Sequence, residues 1–175
     1  HIPQLLESGI TSLKIEGRVK SEYYVATIVG AYRRALDKYY ADPENYKTEQ
    51  SIADEVRKVS HRDYYTGFFF GIPDTGAQIY GSSSYIRDYD VCGIVLDYDP
   101  DTCLAKITQR NRFFKGDEVE IIRPGKPFIK QKIEKIYDEN KNETEVANHA
   151  AQILYIKTDE PVCKNAMLRR KADDK

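Results

Sequence analysis

The sequence predicts an α+β fold in two parts, a terminal βα piece of an α/β barrel with two helices and then a small antiparallel β-barrel. Apolar residues recur at helical spacing only before residue 60. After residue 85, short runs rich in Val and Ile alternate with turn sequences such as Asp99-Pro100 and Pro124-Gly125. A helical region followed by several short strands is typical of α+β proteins.

The composition is that of a globular protein without a membrane span. The chain has 175 residues, of which 41% are hydrophobic and 31% charged, and its formal net charge is −1. These values exclude the collagenous and disordered classes, and they allow a local basic patch but no broad basic surface. No apolar run approaches the ~20 residues of a membrane helix, and no secretory leader opens the chain, so we expect a cytoplasmic protein with no membrane partner.

Cysteine and histidine are too few and too scattered to predict a disulfide framework or a metal site. The residues are Cys92, Cys103, Cys163, His1, His61 and His149. They contain no C-x-x-C pair and no histidine spacing of the kind that binds zinc. We therefore expect reduced thiols, no metal and no cofactor in this segment.

Two helices are predicted at the start of the chain. Residues 3–8 form the end of one helix, and Gly9 terminates it. The second helix runs from residue 21 to about residue 41, with Ser21 as the N-cap and Glu22 in the acidic first turn. Its apolar residues recur three or four positions apart, which is the spacing of one helix face.

A third helix and a connector follow. Thr48 is the predicted cap of this helix, and its apolar face consists of Ile52, Val56 and Val59. The apolar segment 64–71 ends in a glycine and predicts either a docking segment or a short strand. Residues 72–84 are rich in Gly, Ser and Pro and predict a linker loop.

Residues 10–16 predict a short strand that enters the second helix through a tight turn at Gly17. One βα unit cannot form a sheet, so residues 1–71 are expected to be the C-terminal part of a larger α/β domain. The strand would then have open edges and expose apolar surface. We therefore expect the isolated chain to self-associate.

Residues 85–171 predict the β-barrel, followed by a short tail at 172–175. The expected strands are 91–96, 103–107, 118–122, 128–133 and 152–156. Turn residues separate them, which indicates short antiparallel strands. The sequence Lys115-Gly116-Asp117 before an alternating strand resembles the second-domain barrel of translation elongation factors. Such a likeness concerns the fold and not the function.

The densest group of candidate functional residues is Lys14, Glu16 and Arg18. In a strand, Lys14 and Glu16 share one face, and Leu13 and Ile15 share the other. The carboxyl end of a barrel strand is where α/β barrels place their sites, and Arg18 beside a helix start suits phosphate or carboxylate. The three residues are therefore candidates for contact with a substrate or anion. A structural ion pair at the barrel mouth is the alternative.

Other polar residues are weaker candidates, and no residue is assigned a catalytic role. His61 could act as a general base, or it could be a structural histidine at the end of a helix. The structural interpretation is preferred. Asp117 and Glu118 predict a solvated turn. Fourteen tyrosines are explained by packing, although they also suit base stacking. A basic stripe would draw on Arg18, Lys20, Arg62, Arg87, Arg110, Arg112 and Lys115.

Several segments of the chain resemble one known family. They are SLKIEGRVKSEYYVATIVGAYRRALD, SHRDYYTGFFFG, SSYIRDYD, QRNRFFKGDEVEI, EVANHAAQI and MLRRK. In this order, and over nearly the whole chain, they resemble the collagenase-like peptidase family U32. Glu22 departs from the pattern, because many members have Pro there. The resemblance implies a TIM-like barrel followed by a small β-barrel, with this chain covering the end of the first and all of the second.

The resemblance implies two alternatives for the longer protein. Some members resemble RNA hydroxylation proteins, which act on the wobble uridine of tRNA or on a cytidine of rRNA. The family name implies instead a peptidase that acts on protein or peptide substrates. In either case we expect the β-barrel to serve as a substrate-recognition or lid module and the isolated chain to be inactive. Related members hold an iron–sulfur cluster on cysteines, whose positions would lie upstream of this segment.

Overall fold

The computed structural model describes residues 1–73, 75 and 85–173. Three helices come first, namely α1 (Ile2–Glu7), α2 (Glu22–Ala41) and α3 (Gln50–Arg57). Ten strands follow them, and eight of these form one antiparallel sheet. The α+β class, with a helical region followed by a strand-rich region, is therefore confirmed.

The ends of α1 and α2 lie where the sequence predicts them. Gly9 follows α1 with φ of 79°, a left-handed conformation that glycine adopts without a steric penalty. The Ser21 hydroxyl accepts a hydrogen bond from the Tyr24 backbone N–H at 3.3 Å, which satisfies one free donor of the first turn of α2. The cap predicted for α3 is wrong by one residue, because Glu49 and not Thr48 precedes the helix.

The strand predicted at residues 10–16 is wrong. This segment has no regular structure, and within the described residues no strand pairs with it. The predicted alternation of buried and exposed side chains is present, because Leu13 and Ile15 are half-buried while Lys14 and Glu16 are exposed. A strand requires a hydrogen-bonded neighbour, and packing against α2 replaces that neighbour here. The expected self-association depended on the open edge of this strand, so it loses its basis.

The connector after α3 is not a strand either. Residues 66–71 form successive turns, with the Phe69 N–H bonded to the Thr66 carbonyl at 3.1 Å and the Gly71 N–H bonded to the Phe68 carbonyl at 3.2 Å. Phe68 and Phe70 are exposed there. A docking role for this segment remains a prediction. Most of the predicted linker, at residues 74 and 76–84, lies outside the described residues.

The strands alternate between buried and exposed positions. They are β1 (Tyr89–Asp99), β2 (Leu104–Gln109), β3 (Phe113–Phe114), β4 (Glu118–Arg123), β5 (Lys126–Lys132), β6 (Ile136–Tyr137), β7 (Glu143–Thr144), β8 (Val146–Ala147), β9 (Ile153–Lys157) and β10 (Met167–Lys171). The large sheet has the order β5-β4-β10-β1-β2-β9-β6-β7, and β3 pairs with β8. All five predicted strands are present, as β1, β2, β4, β5 and β9.

The central strand β10 is the one that the sequence pattern missed. β10 lies between β4 and β1 in the sheet. Its last three residues are Arg169, Arg170 and Lys171, so the sequence shows no alternation of apolar and polar residues there. β5 and β9 are not neighbours in the sheet order, yet the Gln131 side chain of β5 donates to the Lys157 carbonyl at the end of β9 at 2.9 Å, so the two strands come close. No ladder joins β5 to β7 among the described residues, so barrel closure and the likeness to elongation factors remain predictions.

Candidate functional site

The three predicted site residues all lie at the surface before α2. Lys14, Glu16 and Arg18 are exposed, and the Glu16 carboxylate accepts a hydrogen bond from the Arg18 backbone N–H at 2.8 Å. No ion pair among the described residues includes any of the three. Their contact with a substrate or anion remains a prediction.

Gly17 fixes the turn that leads from these residues to α2. The Lys20 N–H donates to the Gly17 carbonyl at 2.9 Å, which closes the turn. A Cβ atom at position 17 would lie 2.9 Å from Cγ2 of Val25, which is closer than real contacts allow. A side chain at position 17 would therefore force Val25 or the turn to shift. The packing of the turn on α2 holds Lys20 beside the first turn of the helix.

A groove of about 740 Å³ lies between the start of α2 and the sheet. Three cations line it, namely Lys20, Arg87 and Arg110. Its aromatic residues are Tyr23, Tyr24, Tyr85 and Tyr89. Polar and apolar side chains complete the wall, with Ser21, Glu22, Ser60 and Asn111 among the former and Val91, Ile94 and Met167 among the latter. We call this cavity the α2–β1 groove.

Cations and tyrosine rings are in contact at the mouth of the α2–β1 groove. Lys20 Nζ lies 4.4 Å from the centroid of the Tyr85 ring, and Arg62 Cζ lies 5.0 Å from the same centroid. Arg87 pairs with Asp90 at 2.6 Å. Arg110 is exposed and has no ion pair among the described residues. Positive charge and exposed aromatic surface therefore occur together here.

The structure selects only part of the predicted basic stripe. Lys20, Arg87 and Arg110 share the α2–β1 groove, and Arg62 lies at its rim. Lys115 is bonded instead to Glu143 and Glu145, each at 3.0 Å, and these hydrogen bonds raise the pKa of Lys115. The remaining two cations are outside the groove, with Arg112 against the Phe114 ring and Arg18 on the turn.

A buried charge cluster lies behind the groove, where the helices meet the sheet. It consists of Tyr23 on α2, Glu55 on α3, Lys58, Glu120 on β4 and Arg169 on β10. Arg169 is 0% exposed, and its guanidinium lies 2.6 Å from both the Glu55 and the Glu120 carboxylates. Lys58 Nζ lies 3.0 Å from Glu55 and 2.9 Å from Glu120. Two cations and two anions therefore neutralise each other, as buried charges require.

The buried charge cluster fixes Tyr23 in the wall of the groove. The Tyr23 hydroxyl donates to the Lys58 carbonyl at 2.9 Å and lies 3.4 Å from Arg169. Burial raises the pKa of Tyr23 to about 12, although Arg169 opposes this shift. Burial alone would lower the pKa of Arg169, but its hydrogen bond to Glu55 and the nearby negative charges raise it overall. The phenol thus stays neutral and the guanidinium stays charged.

Sequence reasoning missed this cluster because its members are far apart in the chain. Arg169 is 114 residues from Glu55 and 49 residues from Glu120. The available signal was an arginine directly after the apolar pair Met167-Leu168, in a segment that forms a strand. A cation at such a position needs buried carboxylate partners, but the sequence does not identify them.

His61 has a structural environment. It is 8% exposed, its ring stacks on Tyr64, and its Nδ1 and Nε2 lie 2.7 and 3.1 Å from the backbone carbonyls of Arg62 and Arg57. Neither ring nitrogen is therefore directed at a substrate. Asp117 caps its turn by accepting from the Phe114 N–H at 2.9 Å, as a turn residue does.

The described residues offer no cluster of metal ligands. No group of three or more His, Cys, Asp or Glu side chains is found there. Cys92 is buried, Cys103 is half-buried and Cys163 is exposed, so these thiols do not fit an iron–sulfur cluster, which needs grouped thiolates. A cluster upstream in a longer protein remains a prediction. Among these same residues, no helix has the length and apolar character to cross a membrane.

Comparison with known protein families identifies both parts of the chain. Residues 1–79 match the family described as peptidase family U32, and residues 87–169 match the peptidase family U32 C-terminal domain. The chain belongs to peptidase family U32. The two matches together cover the helices and nearly the whole sheet.

Relatives within the family carry two kinds of name. The chain is 44% identical to tRNA hydroxylation protein P1 of Bacillus subtilis over 97% of its own length, and 34% identical to tRNA hydroxylation protein P of Haemophilus influenzae over 82%. It is 25% identical to a collagenase of Porphyromonas gingivalis over 77%. The chain spans 40%, 30% and 38% of these three proteins.

A solved structure also resembles part of the chain. It is the C-terminal domain of a U32 peptidase family protein from Geobacillus thermoleovorans, which is 43% identical in sequence. The similarity covers 46% of this chain and 99% of that one, with a TM-score of 0.45.

Proposed function

We propose that this chain is the C-terminal part of a tRNA hydroxylation protein and that its α2–β1 groove binds the tRNA. The observation that carries the proposal is the groove itself, which combines Lys20 and Arg110 with the exposed ring of Tyr85. The 44% identity to a tRNA hydroxylation protein over 97% of the chain supports an RNA substrate over a peptide.

The groove has the chemistry that single-stranded RNA requires. Cations that neutralise phosphates release counterions, which drives binding at low salt. Exposed tyrosine rings stack on unpaired bases, and each stack contributes about 1–3 kcal/mol. Tyr85 is 50% exposed and Lys20 lies over its ring, so one side chain supplies the stacking face and the other the charge. The wobble uridine lies in an unpaired loop and suits such a site.

We assign recognition, and not bond formation, to this part of the protein. The α2–β1 groove offers cations, tyrosines and amide groups, while both nitrogens of His61 are directed at backbone carbonyls. The hydroxylation step would then depend on the remainder of the longer protein. Lys14, Glu16 and Arg18, in the segment that leads into α2, would extend the RNA contact beyond Lys20.

The test measures tRNA binding by the full-length protein as a function of salt. Lys20→Ala and Arg110→Ala should each weaken binding roughly tenfold at low salt and reduce the slope of log Kd against log salt by about 0.7–0.9. Tyr85→Ala should also weaken binding, whereas Tyr85→Phe keeps the stacking face and should bind normally. Lys115→Ala is the matched control, because Lys115 lies outside the groove and is bonded to two glutamates.

A second measurement separates tRNA hydroxylation from peptidase activity. Mass spectrometry of tRNA nucleosides, from cells that carry only the Lys20→Ala/Arg110→Ala protein, should show loss of the hydroxylated uridine. Unchanged tRNA binding and unchanged nucleosides would overturn the proposal. If the same variants lost cleavage of gelatin or peptides instead, the collagenase-like alternative would replace it.

A further inference from the structure

A second cavity lies further along α2, between that helix and the turn that joins β4 to β5. Its volume is about 360 Å³. Val25, Val29 and Gly30 line it from α2, and Lys126 and Phe128 line it from the β4–β5 hairpin. It shares Met167 with the α2–β1 groove but has its own charged residues. We call it the hairpin cleft.

The floor of the hairpin cleft is apolar and partly open to water. Val25 and Val29 are 40% and 45% exposed, which is high for valines on a helix that packs against a sheet. The Phe128 ring lies nearby, with Lys58 Nζ at 4.2 Å from its centroid. A flat apolar group could cover the valines and the phenylalanine edge together. Such burial would remove their exposed surface from water.

The rim of the hairpin cleft carries positive charge from both walls. Arg34 on α2 and Lys126 on the hairpin line the cleft, and neither has an ion pair among the described residues. Two other cations are neutralised, because Arg33 pairs with Asp37 and Arg123 pairs with Glu160. The carboxylate in the wall, Glu55, is already bonded to Arg169 and Lys58. The cleft therefore has a net positive charge that suits an anion.

The wall also contains a polar side chain without a partner. Thr27 lines the cleft and is 3% exposed, and its hydroxyl makes no hydrogen bond. Buried polar groups in folded proteins almost always have partners, so this hydroxyl requires an explanation. A ligand with polar edges could satisfy it, whereas an alkyl chain could not.

We propose that the hairpin cleft binds a nucleoside phosphate. The base covers Val25, Val29 and Phe128, the phosphate lies between Arg34 and Lys126, and a polar edge of the base or sugar meets Thr27. Small-molecule sites of this kind measure about 300–1,000 Å³ and combine an apolar lining with a few polar groups. The ligand is either a free nucleotide or one nucleotide of an RNA chain, and the second source rests on the proposed function.

The experiment titrates the protein with uridine 5′-monophosphate, with inorganic phosphate and with an anticodon stem-loop RNA. Gly30 provides the test substitution, because a Cβ there meets no atom within 4 Å and a larger side chain can extend into the cleft. Gly30→Leu should fill the cleft and weaken nucleotide binding by roughly tenfold or more. Gly30→Ala is the matched control and should bind nearly as the native protein does. Both residues form helix more readily than glycine, so folding should be retained.

Substitutions that remove the positive charges of the cleft rim provide an independent test. Arg34→Ala and Lys126→Ala should each lower the affinity for uridine monophosphate roughly tenfold, because each removes one charge-assisted hydrogen bond. Inorganic phosphate should bind more weakly than the nucleotide, since it lacks the base. Lys115→Ala is the control, because Lys115 lies outside both cavities and pairs with Glu143 and Glu145, so mononucleotide binding should stay intact.

The outcomes separate this inference from the proposed function. If Gly30→Leu weakens both the nucleotide and the RNA, the cleft holds a nucleotide of the RNA; if it weakens only the nucleotide, the cleft holds a free nucleotide. Loss of RNA binding in the Lys20 and Arg110 variants alone supports the proposed function and not the cleft. The inference is overturned if nucleotide binding does not saturate, if folded Gly30→Leu binds normally, or if the full-length protein binds no nucleotide because another segment fills the cleft.

Discussion

The strand-rich part and the helical part of this molecule bury their apolar residues in different ways. The sheet encloses one cluster of sixteen buried residues, most of them with no exposed surface. The helices have a cluster of four, which are 4–9% exposed, and a second cluster that includes Met167 of β10. The sheet therefore has its own core, whereas the helices complete theirs against the sheet. Order in the helical part therefore depends on docking against the sheet.

Separating the two parts should have the largest effect. Residues 85–173 alone should fold, because their core needs no helix, and they should give a dispersed amide NMR spectrum. Residues 1–73 alone should give a collapsed spectrum, because α2 and α3 lose the surface against which they pack. A dispersed spectrum from residues 1–73 would show that the helices are independent of the sheet.

Breaking the buried charge cluster should be the next largest effect. Arg169→Met leaves Glu55 and Glu120 buried with only Lys58 between them, and loss of one partner of a buried ion pair costs about 3–5 kcal/mol. Chemical denaturation should report this loss in the free energy of unfolding. Adding Glu55→Gln to Arg169→Met should recover part of the loss, because one unpaired charge is removed. No recovery in the double variant would contradict the electrostatic explanation.

High pH should weaken the same interface through Tyr23. The pKa of Tyr23 is about 12 in the folded protein against an ordinary 10.0, so the folded state keeps this proton longer than the unfolded chain does. The resulting stability is fully present below pH 10 and is lost as pH rises towards 12. Its size is roughly 3 kcal/mol at about 1.4 kcal/mol per pKa unit.

Unfolding of Tyr23→Phe, measured from pH 9 to 12, isolates this contribution. The variant should lose less stability over that range than the native protein, although it starts lower without the hydrogen bond to Lys58. Burial also raises the pKa of the Cys92 thiol to about 12 within the sheet. Both the native protein and Tyr23→Phe contain this thiol, so its contribution to the pH dependence is the same in both and cancels in the comparison. Identical pH dependence in the native protein and Tyr23→Phe would contradict the assignment.

Arg18→Ala should have the smallest effect on folding. Arg18 is exposed and its side chain has no ion pair among the described residues, so the melting temperature should not change. If Arg18 contacts the RNA, tRNA affinity of the full-length protein should fall roughly tenfold. A lower melting temperature with normal tRNA binding would favour a structural role instead.

Local signals made part of the fold predictable. The cap at Ser21, the acidic residue after it and the helical spacing define α2 without any tertiary contact. Turn residues with fixed conformations, such as Gly116 and Gly125, separate strands that alternate regularly. Residues 10–16 show the limit of such patterns, because alternation reports two faces but does not supply a strand partner.

The rest depends on contacts between distant segments. β10 became a central strand because β1 and β4 bracket it, although three charged residues end it. The basic stripe contained the correct cations for the α2–β1 groove, but only docking of α2 on the sheet brings Lys20 and Arg110 into one cavity. Arg169 has no local signature, since its partners come from a helix and another strand.

The position of β10 also sets the order in which the molecule can be assembled during translation. Its neighbours β4 and β1 are synthesised earlier, so each keeps an unpaired edge until β10 leaves the ribosome. Arg169 arrives with that strand, and Glu55 and Glu120 gain a second shared cation beside Lys58 only then. Completion of the sheet and of the buried charge cluster therefore both wait for β10. A nascent chain stopped before residue 167 would hold two incomplete sheets and an undocked helical region.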